Sequence, residues 1–161
     1  MLRAVSRYRT RWWPIIAPTG FTSNQPTGSA IVNAVFNHVE ANDNGTFINH
    51  GGIVVDGSNG TGGINAVVSE SVAAGNPVGF FAVSNLSPAT ITLFQSVAAN
   101  NRTGIKADNI NAKVRMAQSM VTGNSTSWIN TGSVGAVQSY GDNYIDGNGD
   151  GDPTPPSIVR K

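Results

Sequence analysis

Two histidines, nine acidic residues and no cysteine limit the chemistry open to this 161-residue chain. With His38 and His50 as its only imidazoles, a zinc site of nitrogen and sulfur ligands is excluded. Asp146, Asn148, Asp150, Gly151 and Asp152 follow the alternate-oxygen spacing of the first half of a calcium loop, glycine making the sharp turn. The second half fails, because Ser157 stands where a bidentate Glu is needed and Pro153, Pro155 and Pro156 stiffen the path. A turn explains these residues adequately. His38 and Glu70 are the one neighbouring ionisable pair in a polar series that continues through Gln95, Gln118 and Asp142, and such a pair on a solvated sheet is ordinary. Lys113 and Arg115, with Arg102 and Lys106 near in sequence, form the one basic cluster of the body. That cluster suits an anionic sugar chain, although such groups more often keep a sheet edge from pairing. Asn-x-Ser/Thr triplets begin at Asn44, Asn59, Asn85, Asn101 and Asn124, and Asn-rich turns produce them by chance. No glycine-rich phosphate loop joins a strand to a helix, and DGSNGTGG reads as a flexible loop. No catalytic, cofactor-binding or metal-ligating residue is assigned, and no cofactor is expected.

These residues are positioned by an internal repeat. FNHVEANDN, VSESVAAGN, LFQSVAANN, MAQSMVTGN and YGDNYIDGN share a pattern ending in Asn44, Asn76, Asn101, Asn124 and Asn148, at separations of 32, 25, 23 and 24. A period of this size marks a stacked architecture, here one turn of a three-faced parallel β-helix with a loop insertion in the longest interval. Numbering each repeat from its first residue puts Phe36, Val68, Leu93, Met116 and Tyr140 at position zero. Two residues earlier stand Ala34, Ala66, Ile91, Val114 and Gln138, and four earlier stand Val32, Ile64, Ala89, Ala112 and Ala136. Asn33, Asn65, Thr90, Lys113 and Val137 fall between, so the stretch alternates as a strand does. The alternation breaks at a corner and resumes inward at plus three and plus five, with Val39 and Ala41, Ser71 and Ala73, Ser96 and Ala98, Ser119 and Val121, and Asn143 and Ile145. A third inward position, at plus twelve, holds Ile48, Phe80, Ile105 and Trp128, and Gly79 and Gly104 precede two of these. Identical residues recurring once per coil stack about 4.8 Å apart, so the asparagines form an amide ladder and the serines a second, structural column.

Composition agrees with an all-β chain. Charged residues make up 12%, and 19 glycines with abundant Asn, Ser and Thr supply the polar surface. Arg3, Arg7, Arg9 and Arg11 carry four of the ten basic groups, leaving a mildly acidic body that argues against nucleic-acid binding. Trp12, Trp13, Pro14, Ile15, Ile16 and Ala17 are too short an apolar run for an export signal, and no segment approaches the roughly 20 apolar residues of a membrane span. The expected organisation is a basic, disordered leader over residues 1–28, a right-handed parallel β-helix of about five coils over residues 29–152, and a proline-rich tail over residues 153–161. The coil containing Val32, Ala34 and Phe36 is expected to be open toward the N-terminus. Either Trp12, Trp13 and Ile15 fold over it, or the chain self-associates through the uncapped end.

The stretches DGSNGTGGINAVVSESVAAGN, SVAANNRTGIKADNINAKVRMAQSMVTGN and SYGDNYIDGNGDGDPTP give residues 29–155 a resemblance to bacterial right-handed parallel β-helix proteins of the pectate-lyase-like superfamily, closest to a secreted type. The resemblance implies an extracellular or cell-surface location, and a chain shortened at its N-terminus relative to members that begin with an export signal. It also implies polysaccharide as the partner class. Enzymes of this fold place carboxylates, and in lyases a calcium ion and a basic residue, on the outer surface of adjacent coils. The two functional expectations are therefore a non-enzymatic solenoid that binds carbohydrate or serves as a structural module, and a lyase or glycoside hydrolase, or an inactive remnant of one, acting on acidic polysaccharide.

Overall fold

The computed structural model describes residues 20–24, 27–47, 49–132 and 136–159. The described chain is all β and winds into a parallel β-solenoid of about 4 turns. Each turn contributes one strand to each of three sheets. Sheet A stacks β1 (Phe21–Asn24), β4 (Gly51–Asp56), β7 (Val78–Val83), β10 (Thr103–Asp108) and β13 (Thr126–Asn130). Sheet B stacks β2 (Val32–Asn37), β5 (Ile64–Ser69), β8 (Ala89–Phe94), β11 (Ala112–Ala117) and β14 (Val137–Ser139). Sheet C stacks the short strands β3 (Glu40–Asn42), β6 (Val72–Ala74), β9 (Val97–Ala99), β12 (Met120–Thr122) and β15 (Tyr144–Asp146). The expected stack of about five coils is present as five strands in each sheet, whose five asparagine rungs enclose about 4 turns.

The core is the set of inward residues, each layer resting on the one before. Ile64, Ile91, Leu93, Val114 and Met116 from sheet B meet Ile53, Phe80 and Ile105 from sheet A, all essentially inaccessible to solvent. Sheet C brings Ala41, Ala73, Ala98 and Val121, small side chains that let its short strands approach closely. The asparagine ladder closes the corner between sheets C and A. Each backbone N–H and each side-chain amide of Asn44, Asn76, Asn101 and Asn124 donates to the Oδ1 of the next rung at 2.9–3.1 Å. The backbone bonds between coils run on either side of the corner, and at the asparagine N–H, where no backbone carbonyl is met, a side chain that both donates and accepts takes their place. Gly79 is needed beside it: a Cβ there would lie 2.6 Å from the Gly104 carbonyl and 2.9 Å from the Asn101 amide.

The corner between sheets B and C has its own column. His38, Glu70, Gln95 and Gln118 all adopt positive φ, between 48° and 54°. The backbone N–H groups of Val39, Ser71 and Ser96, one residue further on, are taken up by the hydroxyls of Ser71, Ser96 and Ser119 at 3.1–3.2 Å. The serines are structural partners for the corner, as their repetition suggested.

Three details of register differ from expectation. Ile48 lies outside the described residues, and Ile53 occupies the rung opposite Phe80, since the insertion after Asn44 falls before β4. In the last coil Val137 and Ser139, and not Gln138 and Tyr140, pair with Val114 and Met116. One extra residue has entered the following corner, where Gly141, and not Asp142, takes the positive φ that Gln118 has in the coil before. Strand β1 pairs in register with β4, so the stack begins before residue 29. The preceding residues 1–19, including Arg3, Arg7, Arg9, Arg11, Trp12, Trp13 and Ile15, lie outside the described residues.

The two ends differ. At the start, Val32, Ala34 and Phe36 point inward and pack against the core while remaining only half-buried. At the finish the tail crosses the last coil: the Ser139 N–H donates to the Pro156 carbonyl, the Ile158 N–H to Ser139, and the Trp128 indole N–H to the Pro153 carbonyl at 2.7 Å. A segment with three prolines covers the edge while offering few N–H groups for another strand. Among the described residues no helix is long and apolar enough to cross a membrane.

Candidate functional site

The residues singled out by sequence are distributed over different faces. His38 and Glu70 do meet, Nε2 to Oε2 at 2.5 Å, on an exposed corner, with Asn37 Oδ1 2.6 Å from the other ring nitrogen. Gln95 donates to Gln118 at 3.3 Å further along the same column. These contacts staple successive left-handed corner residues. The basic cluster is divided, with Lys113 and Arg115 on the outer face of sheet B and Lys106 on sheet A. Two carboxylates of the C-terminal acidic turn accept internal hydrogen bonds. Asp150 accepts from the Ser127 N–H and hydroxyl, each at 2.8 Å, while Asp152 accepts from the Asn148 N–H and side-chain amide and from the Gly147 N–H. Asp152 thereby ends the asparagine ladder as a terminal acceptor, and those hydrogen bonds, led by the Asn148 N–H, hold its carboxyl below the ordinary aspartate value. Asn44, Asn101 and Asn124 are buried in the ladder, which removes three of the five glycosylation triplets from access.

A groove of about 530 Å³ runs along the outer face of sheet A. Alternation places it: while Ile53, Val55, Phe80, Ala82, Ile105 and Ala107 point inward, Val54, Asp56, Phe81, Val83, Lys106 and Asp108 point outward. Register then builds two columns. Thr22, Val54, Phe81 and Lys106 align in one, and Asn24, Asp56, Val83 and Asp108 in the other. Asn49, before β4, and Asn109, after β10, complete the rim.

The base is apolar and closed. Phe81 is 2% exposed, and Lys106 Nζ lies over its ring, 4.8 Å from the centroid. Lys106 is fixed there by Asp108 at 2.9 Å, and Thr131 donates its hydroxyl to the same carboxylate. Burial pushes the Asp108 carboxyl up, but the Thr131 hydroxyl, the Lys106 ammonium and the Asn109 N–H together outweigh it and hold the group below the ordinary aspartate value. Asp56 is differently placed: one oxygen accepts from the Ser58 N–H at 2.8 Å, and the other has no partner among the described residues. The groove thus offers carboxylate and amide groups above an apolar floor, the combination that binds polyhydroxylated ligands through their hydroxyls and C–H faces.

Sequence reasoning missed this site. Placing Ile48 on the third face displaced the first coil of sheet A by five residues, so Asp56 and Asp108 were never aligned. A second hollow of about 480 Å³, lined by Glu40, Asn42, Asp43, Val72, Ala74, Gly75 and Asn100 on sheet C, has a floor of small side chains and no cation. Comparison with family models, curated proteins and solved structures finds no match to this chain.

Proposed function

We propose that the protein is a non-enzymatic β-solenoid that binds an extended carbohydrate chain along the outer face of sheet A, at the cell surface or outside the cell. The observation that carries this reading is the groove itself, in which Asn24, Asp56, Asp108 and Asn109 rim the floor of Val54, Phe81 and Val83. Strand stacking spaces the rungs about 4.8 Å apart along the axis, so Asn24, Asp56, Val83 and Asp108 spread the groove over four rungs, a length suited to a polymer and not to a single small molecule. Kinship with the bacterial, secreted pectate-lyase-like proteins belongs to the same proposal, supported by the three-sheet parallel winding and by the stretches quoted above.

Hydrolysis is the rival reading, since Asp56 and Asp108 stand two rungs, about 9.6 Å, apart, near the separation used by inverting glycosidases. Such a pair needs one carboxyl held protonated as the acid. Asp108 is held in the opposite direction, and its oxygens are committed to Lys106 and Thr131. The test is affinity electrophoresis of the full chain in gels containing neutral, aminated and uronate polysaccharides, with reducing ends assayed in parallel. Retardation without new reducing ends, relieved by Val83→Arg, is expected. Mobility unchanged in every gel would refute binding, and release of reducing ends abolished by Asp56→Ala would establish the enzyme instead.

A further inference from the structure

The charges inside the groove select among carbohydrates. Among the described residues the cation beside the groove is Lys106, over the Phe81 ring of the floor, and it is already engaged by Asp108 at 2.9 Å and by that ring, so this trio presents no net charge to a ligand. Lys113 and Arg115 stand on sheet B and cannot compensate. What remains is Asp56, half-buried, with one carboxylate oxygen unpartnered among the described residues and amides of Asn24, Asn49 and Asn109 around it. A uronate chain brought here would set carboxylate against carboxylate over a low-dielectric floor. A cation on the chain would complete the site.

Resting on the carbohydrate reading above, we propose that the groove takes a glycan with free amino groups, an oligosaccharide of amino sugars, with Asp56 as the partner of a sugar ammonium. The sugar rings lie along the solenoid axis, roughly two rings to two rungs. Asp56 Oδ2 accepts a charge-assisted hydrogen bond from the ammonium, and Asn24 and Asn109 take the neighbouring hydroxyls. The acidic body of the solenoid adds a weaker, salt-screened attraction to the same polycation.

Isothermal titration of the full chain tests this with three probes of equal length: oligoglucosamine, its fully N-acetylated counterpart and oligogalacturonate. The expected order places oligoglucosamine about tenfold or more tighter than the acetylated chain, the scale of one charge-assisted hydrogen bond. Asp56→Asn should remove most of the difference, leaving only a remainder that added salt abolishes, while Lys113→Ala leaves the preference intact, and a thermal melt of each variant verifies folding. Should the acetylated and free-amine chains bind equally, or the uronate bind best, the amino-sugar assignment is overturned while carbohydrate binding stands. Should none of the three bind, carbohydrate binding in the groove is itself overturned.

Discussion

Replacing Asn101 by Ala removes the middle of the ladder, and its cost can be worked from the bonds lost. Asn101 is 2% exposed. Its Oδ1 accepts from the Asn76 N–H at 2.9 Å and the Asn76 amide at 3.1 Å, and its Nδ2 donates to the Ala73 carbonyl at 2.9 Å and to Asn124 Oδ1 at 3.0 Å. Not all four partners are stranded. The Asn76 amide keeps the carbonyls of Ala41 and Ala74, and Asn124 Oδ1 keeps the Asn101 N–H. The Asn76 N–H, however, loses its acceptor in a place water cannot reach, which costs about 1–3 kcal/mol, and the three other losses, two of them from partners that stay bonded, together add about 2 kcal/mol. A total of about 3–5 kcal/mol is a large part of the stability of a domain this size. With a urea m-value of about 2 kcal/mol/M, the midpoint should fall by about 2 M, read by far-UV circular dichroism. Asn101→Asp keeps the shape but turns both donors into acceptors facing oxygens, and should be at least as damaging. If Asn101→Ala lies within about 0.5 kcal/mol of Asn59→Ala, a change in an exposed loop, the ladder does not hold the coils together.

Leu93, 1% exposed at the centre of sheet B, should cost about 2–5 kcal/mol on truncation to Ala, whereas Lys113→Ala on the outer face should change stability little; equal midpoints in a urea titration would invert the assigned faces. Gly75 has φ +68°, and a Cβ there would meet Asp43 Oδ1 at 2.1 Å, so Gly75→Ala should lower stability by about 1–2 kcal/mol from the backbone alone, part of any further loss being recovered in the double variant with Asp43→Ala. Asp108 and Asp152 both titrate below their ordinary value when folded. Their stabilisation is therefore complete above the unfolded value of about 3.9 and is lost as pH falls through the lower folded values. The melting temperature should drop on acidification below about pH 4, and less steeply in Asp152→Ala; a melting temperature that rises there would contradict the sign.

The repeat made most of the fold legible because a solenoid writes the same packing problem once per coil. Phe36, Val68, Leu93 and Met116 answer it with bulky apolar side chains, and the asparagines with an amide that only a stacked corner requires. Legibility failed where the period changed. The insertion between Asn44 and β4 hid the equivalence of Ile53 with Phe80, and one added residue before Asn148 shifted Val137 into the place given to Gln138. The groove was invisible for the same reason, since its members Asp56, Val83 and Asp108 share neither residue type nor a constant spacing and meet only through register. Strand β1 escaped detection because four residues on one face carry too little pattern. The C-terminal turn looked like a cation loop because short oxygen-bearing side chains serve both purposes, and the carboxylates of Asp150 and Asp152 bind backbone N–H groups.

The register of sheet A is the claim on which the groove depends, and a chain without cysteine allows it to be tested directly. Val83 and Asp108 are paired neighbours on the outer face, about 4.8 Å apart and so within reach of a disulfide. Asp56 and Asp108, two rungs apart at about 9.6 Å, are beyond it. The measurement is disulfide yield under mild oxidation for the two double-cysteine variants, read by mass spectrometry after digestion. The stacked register gives intramolecular bonding in Val83→Cys/Asp108→Cys and none in Asp56→Cys/Asp108→Cys. Bonding in the second pair but not in the first would show that the coils stack in a different register and that the groove does not exist as described.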